Sequence, residues 1–424
     1  MKSLIFFSFI FFGINLYAQV NFDDFFFDKS MRLDYTIGGT GNETTVYFNK
    51  LKEEPFWGGS KKNLIDKFNF GYYRILVFDS AGTKLIYSRG FSDLYVEWKD
   101  TEEAKQTSRS FYESVQIPFP KNDIVIKIEM RDKQNVFNTV FEIPINPGSV
   151  SIIKDKQTKY KIQKLQNNGD SHNKLDIVII PDGYTESELE KFHADCNRFI
   201  SYFFEVEPFK TYRNNVNFWA VDAFSEESGT DIPTQNIWKN TVLNTHFNTF
   251  GHERYLTTQD IETVRNLAAY VPYDQIYILV NTEKYGGGGI YNCYNLCSAD
   301  NEYSGRVFTH EFGHAFAALA DEYEYGYGKA EDLYDMSVEP WQVNITNLVD
   351  FDSKWKKSVD KNTPVPTPDT PKFAEKLGAF EGAGYVKKGI YRPMHDCKMR
   401  SNSNDKFCPV CYKTVLEMLL FYSE

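Results

Sequence analysis

The run Thr309-His310-Glu311-Phe312-Gly313-His314-Ala315-Phe316 sets two imidazoles four residues apart, with a carboxylate directly after the first. On a helix, residues four apart share a face one turn apart, so both rings reach a single metal ion. Imidazole nitrogen is a good ligand for Zn2+, and a catalytic zinc takes three protein ligands and keeps one position open. Glu311 follows the first ligand and is placed to act as general base when metal-activated water attacks a carbonyl. Two surface histidines on a solvated helix would give the same spacing. Context argues against that: only seven His occur in the chain, two of them here, and FAALA continues an apolar helix. A buried His-Glu-His needs partners.

A third ligand must come from elsewhere, and the nearest acidic cluster is Asp321-Glu322-Tyr323-Glu324. Asp321 lies about 10 Å beyond His314 along an unbroken helix, too far for shared ligation. The chain must therefore turn sharply between Phe316 and Ala320, where no glycine eases it. Asp321 is taken as the third ligand, with Glu322, Glu324 and His395 as alternatives, because carboxylate and imidazole both suit zinc. Gly286 to Gly289 lacks the following G-K-[ST] of a phosphate loop. It reads as a flexible rim beside a sheet edge that an extended peptide joins as a strand, or equally as a loop needing positive φ.

The elements that must carry these residues change character along the chain. Up to about Pro147, short alternating runs such as TTVYFNK, DLYVEW and NDIVIKIEMRD are separated by turn signals, and DSAGT joins two β-branched, aromatic runs as a hairpin. From Leu175 strands alternate with helices. LDIVII is a continuous apolar run, VNFWAVDAF and QIYILVN are further strands, Ser187 to Phe204 shows one apolar helical face, and Val410 to Phe421 closes the chain as a helix. The expected fold is α+β and multidomain: a signal peptide at 1–18, an all-β sandwich at 19–150, a polar linker at 151–174 and an α/β unit at 175–424.

The first 18 residues carry Lys2, an apolar run from Leu4 to Ile14 and a small residue at Ala18, the pattern of a secretory signal. That run is too short to span a bilayer, so an exported chain without stable membrane insertion is expected, in the periplasm, at the cell surface or secreted. With 47 Lys+Arg against 58 Asp+Glu the formal charge is −11, which argues against nucleic acid as a partner. In an oxidising compartment Cys293, Cys297, Cys397, Cys408 and Cys411 are expected in disulfides, with a four-Cys zinc site from CYNLC and CPVC as the alternative. Cys196, on the apolar face of its helix, is expected to be a buried free thiol.

Over most of its mature length the chain resembles the immunoglobulin-A-peptidase-like zinc metallopeptidases. The likeness rests on LDIVIIPDGYTESELEKF, EVEPFKTYRNNVNFWAVDAFSEESGTDIP, ILVNTEKYGGGG, HEFGHAFAALADEY and YRPMHDCKMRSNSNDKFCPVC. FDKSMRLDY, FWGGSKKNLID, LIYSRGFSDLYVEW and TEEA resemble the family's amino-terminal β-sandwich. The resemblance implies a metzincin-like (zincin) catalytic domain, zinc held by His310, His314 and Asp321, and Glu311 as base. It implies a polypeptide or glycoprotein substrate, such as immunoglobulin or another host glycoprotein. A zinc-dependent amidase acting on glycan or cell wall, an inactive binding protein of the same fold, and an adhesin-like module are the other readings. Relatives often carry Gly where this chain has Ala317 or Ala318, so the turn before Asp321 departs from the family's pattern. Met399, in CKMR, is expected to floor the site, its turn stapled by Cys397 with Cys408 or Cys411 if these oxidise, and Tyr391 or Tyr323 to donate to the developing oxyanion.

Overall fold

A computed structural model of the chain describes residues 20–154, 158–325 and 329–424. The expected signal peptide at 1–18 lies outside the described residues. A single turn, α1 (Phe22–Phe25), leads into β1 (Phe26–Gly39), which pairs antiparallel with both β2 (Thr44–Glu54) and β5 (Arg109–Pro120). Between them run the hairpin of β3 (Tyr73–Asp79) and β4 (Leu85–Phe91) and the short helix α2 (Leu94–Lys99), capped by the Asp93 side chain on Val96 N–H. Strands β6 (Ile124–Arg131) and β7 (Phe137–Ile145) complete a second antiparallel sheet, in the order β4-β3-β6-β7. Alternating side chains of both sheets, among them Leu33, Tyr35, Ile37, Ile75, Val77, Ile126 and Ile128, meet in one core.

The second half is built on a six-stranded mixed sheet. Its strands are β8 (Ile162–Gln166), β9 (Leu175–Asp182), β10 (Val216–Val221), β11 (Gln275–Val280), β12 (Gly287–Ile290) and β13 (Tyr294–Ser298), ordered β12-β13-β11-β9-β10-β8. The four inner strands are parallel, and both edge strands run antiparallel to their neighbours. Strand β9 is buried along its whole length, which is why LDIVII shows no polar alternation. Part of the polar stretch between the halves supplies the edge strand β8.

Period-2 alternation splits this sheet between two cores. Val178 and Ile180 join the core of the antiparallel sheets, together with α4 (Ile261–Ala268). Ile177 and Ile179 face a second core made with α3 (Leu189–Phe203), α5 (Ser304–Ala317) and α7 (Pro409–Ser423). The apolar stripe Phe192, Cys196, Phe199, Ile200 and Phe203 is the buried face of α3. After α5 come the turn α6 (Ala330–Leu333) and the hairpin of β14 (Phe380–Ala383) and β15 (Val386–Arg392).

The cysteines depart from expectation. All six are buried and free. Cys293 belongs to the first core and Cys297 to the second, on opposite faces of the sheet, so CYNLC forms neither a disulfide nor half of a four-Cys site with CPVC. Cys397, Cys408 and Cys411 instead gather around Glu322.

Candidate metal centre

Helix α5 carries the HEFGH run. Its inner face, Val307, Phe308, Phe312 and Phe316, is anchored in the second core, leaving His310 and His314 at its rim. Edge strand β12 runs tightly along this helix. A β-carbon at Gly289 would sit 2.4 Å from the Glu311 carbonyl oxygen, and one at Gly287 would sit 2.6 Å from Glu311 Oε1. The glycines therefore serve helix–strand approach. They form a strand instead of the expected flexible rim, and Tyr255 bridges its outer side at Gly287.

The turn demanded after His314 occurs at Ala318, whose backbone is left-handed at φ 51°. Its N–H closes the helix on the His314 carbonyl (2.9 Å), and the Leu319 N–H reaches back to the Gly313 carbonyl (3.2 Å). An alanine performs a reversal usually left to glycine, and the chain doubles back so that Asp321 faces both histidines. Asp321 Oδ1 lies 3.1 Å from His310 Nε2 and 3.1 Å from His314 Nε2, and the two Nε2 atoms are 3.1 Å apart.

The outer nitrogens are fixed by carbonyls. His310 Nδ1 donates to the Lys398 carbonyl (2.9 Å) and His314 Nδ1 to the Leu319 carbonyl (2.6 Å). A carbonyl only accepts, so each Nδ1 carries a hydrogen and each Nε2 is the atom turned inward, available to a metal once it carries no proton. Asp321 is held in turn by the Tyr385 hydroxyl, which donates to Oδ2. Nothing in the sequence around Tyr385 signalled this role. It sits at the tip of the β14–β15 hairpin, with φ 70°, and its backbone is bonded to the Tyr323 carbonyl (3.0 Å).

Electrostatics follow from burial and proximity. Burial works against a charged His314, yet the adjacent Asp321 carries its pKa up to about 9. Burial also opposes the ionised Asp321, but the two imidazoles hold it far below the usual carboxylate range. At Glu311 burial is the largest influence and pushes the pKa up, partly opposed by His310 and His314. Two inward Nε2 atoms and a carboxylate oxygen, 3.1 Å from one another, form a donor set in which a bound cation takes the place of the proton that Asp321 draws onto His314. Ligand bonds of 2.0–2.1 Å in tetrahedral geometry place donors about 3.3 Å apart, so the set fits zinc.

The other residues considered lie elsewhere. Glu322 turns away towards the three cysteines. Glu324 lies beside Gly382 and Arg400, and His395 pairs with Asp369. Met399 packs under α5, where a β-carbon at Gly313 would meet its Sδ at 2.6 Å. Tyr323 lies parallel to the His310 ring with centroids 6.4 Å apart, whereas Tyr391 packs against the Phe351–Trp355–Ala379 cluster.

Two imidazoles on one helix, a carboxylate from the following turn and a half-buried glutamate beside them make up the donor set that metal-dependent hydrolases use. Residues 163–373 and 369–419 match the IgA peptidase M64 family, and residues 21–142 match the peptidase M64 N-terminus. The chain belongs to the IgA peptidase M64 family, with its N-terminal domain, and is a hydrolase of peptide bonds. A comparison with curated proteins finds no match.

Proposed function

We propose that the protein is an exported zinc metallopeptidase that holds zinc through His310, His314 and Asp321 and uses Glu311 as general base. The observation that carries this reading is the convergence of one donor atom from each of the three residues within 4.8 Å, with Glu311 next to the first ligand. Zinc in such a site supplies Lewis acidity, which polarises a carbonyl and favours attack by water near neutral pH. The carbonyls of Lys398 and Leu319 keep both imidazoles in the ligating tautomer, and Tyr385 fixes the Asp321 carboxylate. Glu311, its basicity raised by burial, takes the proton from the attacking water and delivers it to the leaving amine. Tyr323 is the nearer candidate to steady the developing oxyanion, because burial keeps its phenol protonated beside His310.

In this reading residues 19–150 form a β-sandwich accessory domain, 151–174 connect the halves, and 175–424 form a metzincin-like catalytic domain. The substrate is a polypeptide or glycoprotein, with immunoglobulin and other host glycoproteins as the first to assay. Among the described residues no helix is long and apolar enough to cross a membrane.

Glu311→Gln tests the assignment: turnover of a peptide panel should vanish while the zinc content of the purified protein stays at the wild-type level. Full activity in this variant overturns it. Glycopeptides and cell-wall glycans in the same panel separate a peptidase from an amidase.

A further inference from the structure

Directly after Asp321 the chain offers a second, different set of donors. Glu322 is fully buried, as are Cys397 and Cys411, and Cys408 is 5% exposed. One donor atom from each of these four residues lies within 4.8 Å of all the others. Glu322 Oε1 accepts from Asn344 Nδ2 at 3.0 Å and lies 3.0 Å from Cys411 Sγ. Its Oε2 is buried with no hydrogen-bond partner among the described residues. The sulfurs are approached by backbone donors: the Cys408 N–H points at Cys397 Sγ (3.2 Å) and the Cys411 N–H at Cys408 Sγ (3.5 Å). The second bond caps α7, where Pro409 at the first helical turn fixes the entry of the chain.

Three thiols and a carboxylate enclosed together do not explain themselves. A disulfide between any two cysteines leaves the third thiol and the unpartnered carboxylate oxygen buried without use. N–H groups aimed at sulfur favour thiolate, and buried negative charge requires a counter-ion. Zinc bound to thiolate at about 2.3 Å in tetrahedral geometry separates the sulfurs by about 3.8 Å, within the span of this cluster.

We propose that Glu322, Cys397, Cys408 and Cys411 form a second metal site, a closed structural zinc site of three thiolates and one carboxylate. Its soft, sulfur-rich donors select Zn2+ over the hard cations that prefer oxygen. The site fastens three segments that build the first centre. Glu322 adjoins Asp321, and its N–H bonds the Met399 carbonyl (2.8 Å). Cys397 opens the turn whose Lys398 carbonyl orients His310 and whose Met399 packs under Gly313. Cys408 and Cys411 begin α7. The metal therefore sets the floor of the first centre without touching substrate.

The donor chemistry makes the two sites separable, because the first offers only nitrogen and oxygen. Full-length wild-type protein purified with Zn2+ should contain two zinc ions per chain, and zinc-edge X-ray absorption should show a sulfur shell at about 2.3 Å. Exchange with Co2+ should give an intense thiolate-to-cobalt charge-transfer band that survives in His310→Ala. Cys411→Ser and Glu322→Gln should each lower the zinc count from two to one, and the wild-type spectra stand if either variant fails to fold. A zinc shell of nitrogen and oxygen alone, or a disulfide among Cys397, Cys408 and Cys411 detected by mass spectrometry of the unreduced protein, overturns the second site. Neither result bears on the Glu311→Gln test, which reads turnover at the first centre.

Discussion

At the scale of single residues, the candidate centre depends on groups that ligate nothing. Tyr385 holds the free oxygen of Asp321, and such outer partners typically change metal affinity by 10–100-fold. Tyr385→Phe should weaken zinc binding at the first centre about tenfold, read by competition with a chelator, with little change in fold because the ring stays. An unchanged affinity would show that Asp321 is oriented by its backbone alone. Ala318 bears the left-handed turn. Relieving about 1–2 kcal/mol of steric cost, less the added freedom of an unfolded glycine, Ala318→Gly should stabilise the protein by about 0.5–1 kcal/mol in denaturant titration. A loss of stability would mean that the buried methyl matters more than the turn.

At the scale of elements, the closeness of β12 and α5 puts Glu311 beside the sheet edge. Gly289→Ala drives a methyl into the backbone of α5 and should cost about 2–3 kcal/mol together with most of the activity. Wild-type stability in that variant would show that the helix moves freely. On β9, Asp176 is fully buried and accepts from Trp219 Nε1 (2.7 Å) and Asn217 Nδ2 (3.1 Å), yet burial pushes its pKa up to about 6 from 3.8. A carboxyl whose pKa is raised on folding binds more protons folded than unfolded between those values. Its contribution is therefore fullest below pH 3.8 and is lost as pH rises through about 6. Asp176→Asn keeps the acceptor oxygen and removes the charge. It should gain about 2–3 kcal/mol over wild type at pH 8 and nothing at pH 3, measured by denaturant titration at each pH.

At the scale of the whole molecule, the two halves share one core: Val178, Ile180, Ile276 and Ile278 belong to the same buried cluster as the antiparallel sheets, and α4 touches both β9 and β5. Buried Arg32 links Glu54 (3.1 Å) on its own sheet to Asn266 on α4 (3.1 Å), and Lys52 reaches the same Asn266 oxygen (2.9 Å). The N-terminal domain is thus part of the folding unit of the catalytic half. The full chain should melt in one calorimetric transition, and residues 151–424 expressed alone should aggregate or bind a hydrophobic dye. A monodisperse, active fragment would refute this.

By itself, the sequence determined what local pattern can carry. The i,i+4 spacing of His310 and His314 set both imidazoles on one helical face, continuous apolar character marked β9, and period 3.6 marked α3, because these regularities are fixed by backbone geometry within a few residues. The acidic cluster after the helix offered Asp321 as third ligand beside Glu322, Glu324 and His395, and the family likeness implied the same residue. Only the tertiary structure decided which acidic residue faces the histidines, since one left-handed residue at Ala318 sends Asp321 towards them and Glu322 away. It alone joined Tyr385 to Asp321 across 64 positions and put Cys293 in one core and Cys297 in the other. Such contacts depend on how distant segments pack, and no local periodicity encodes them.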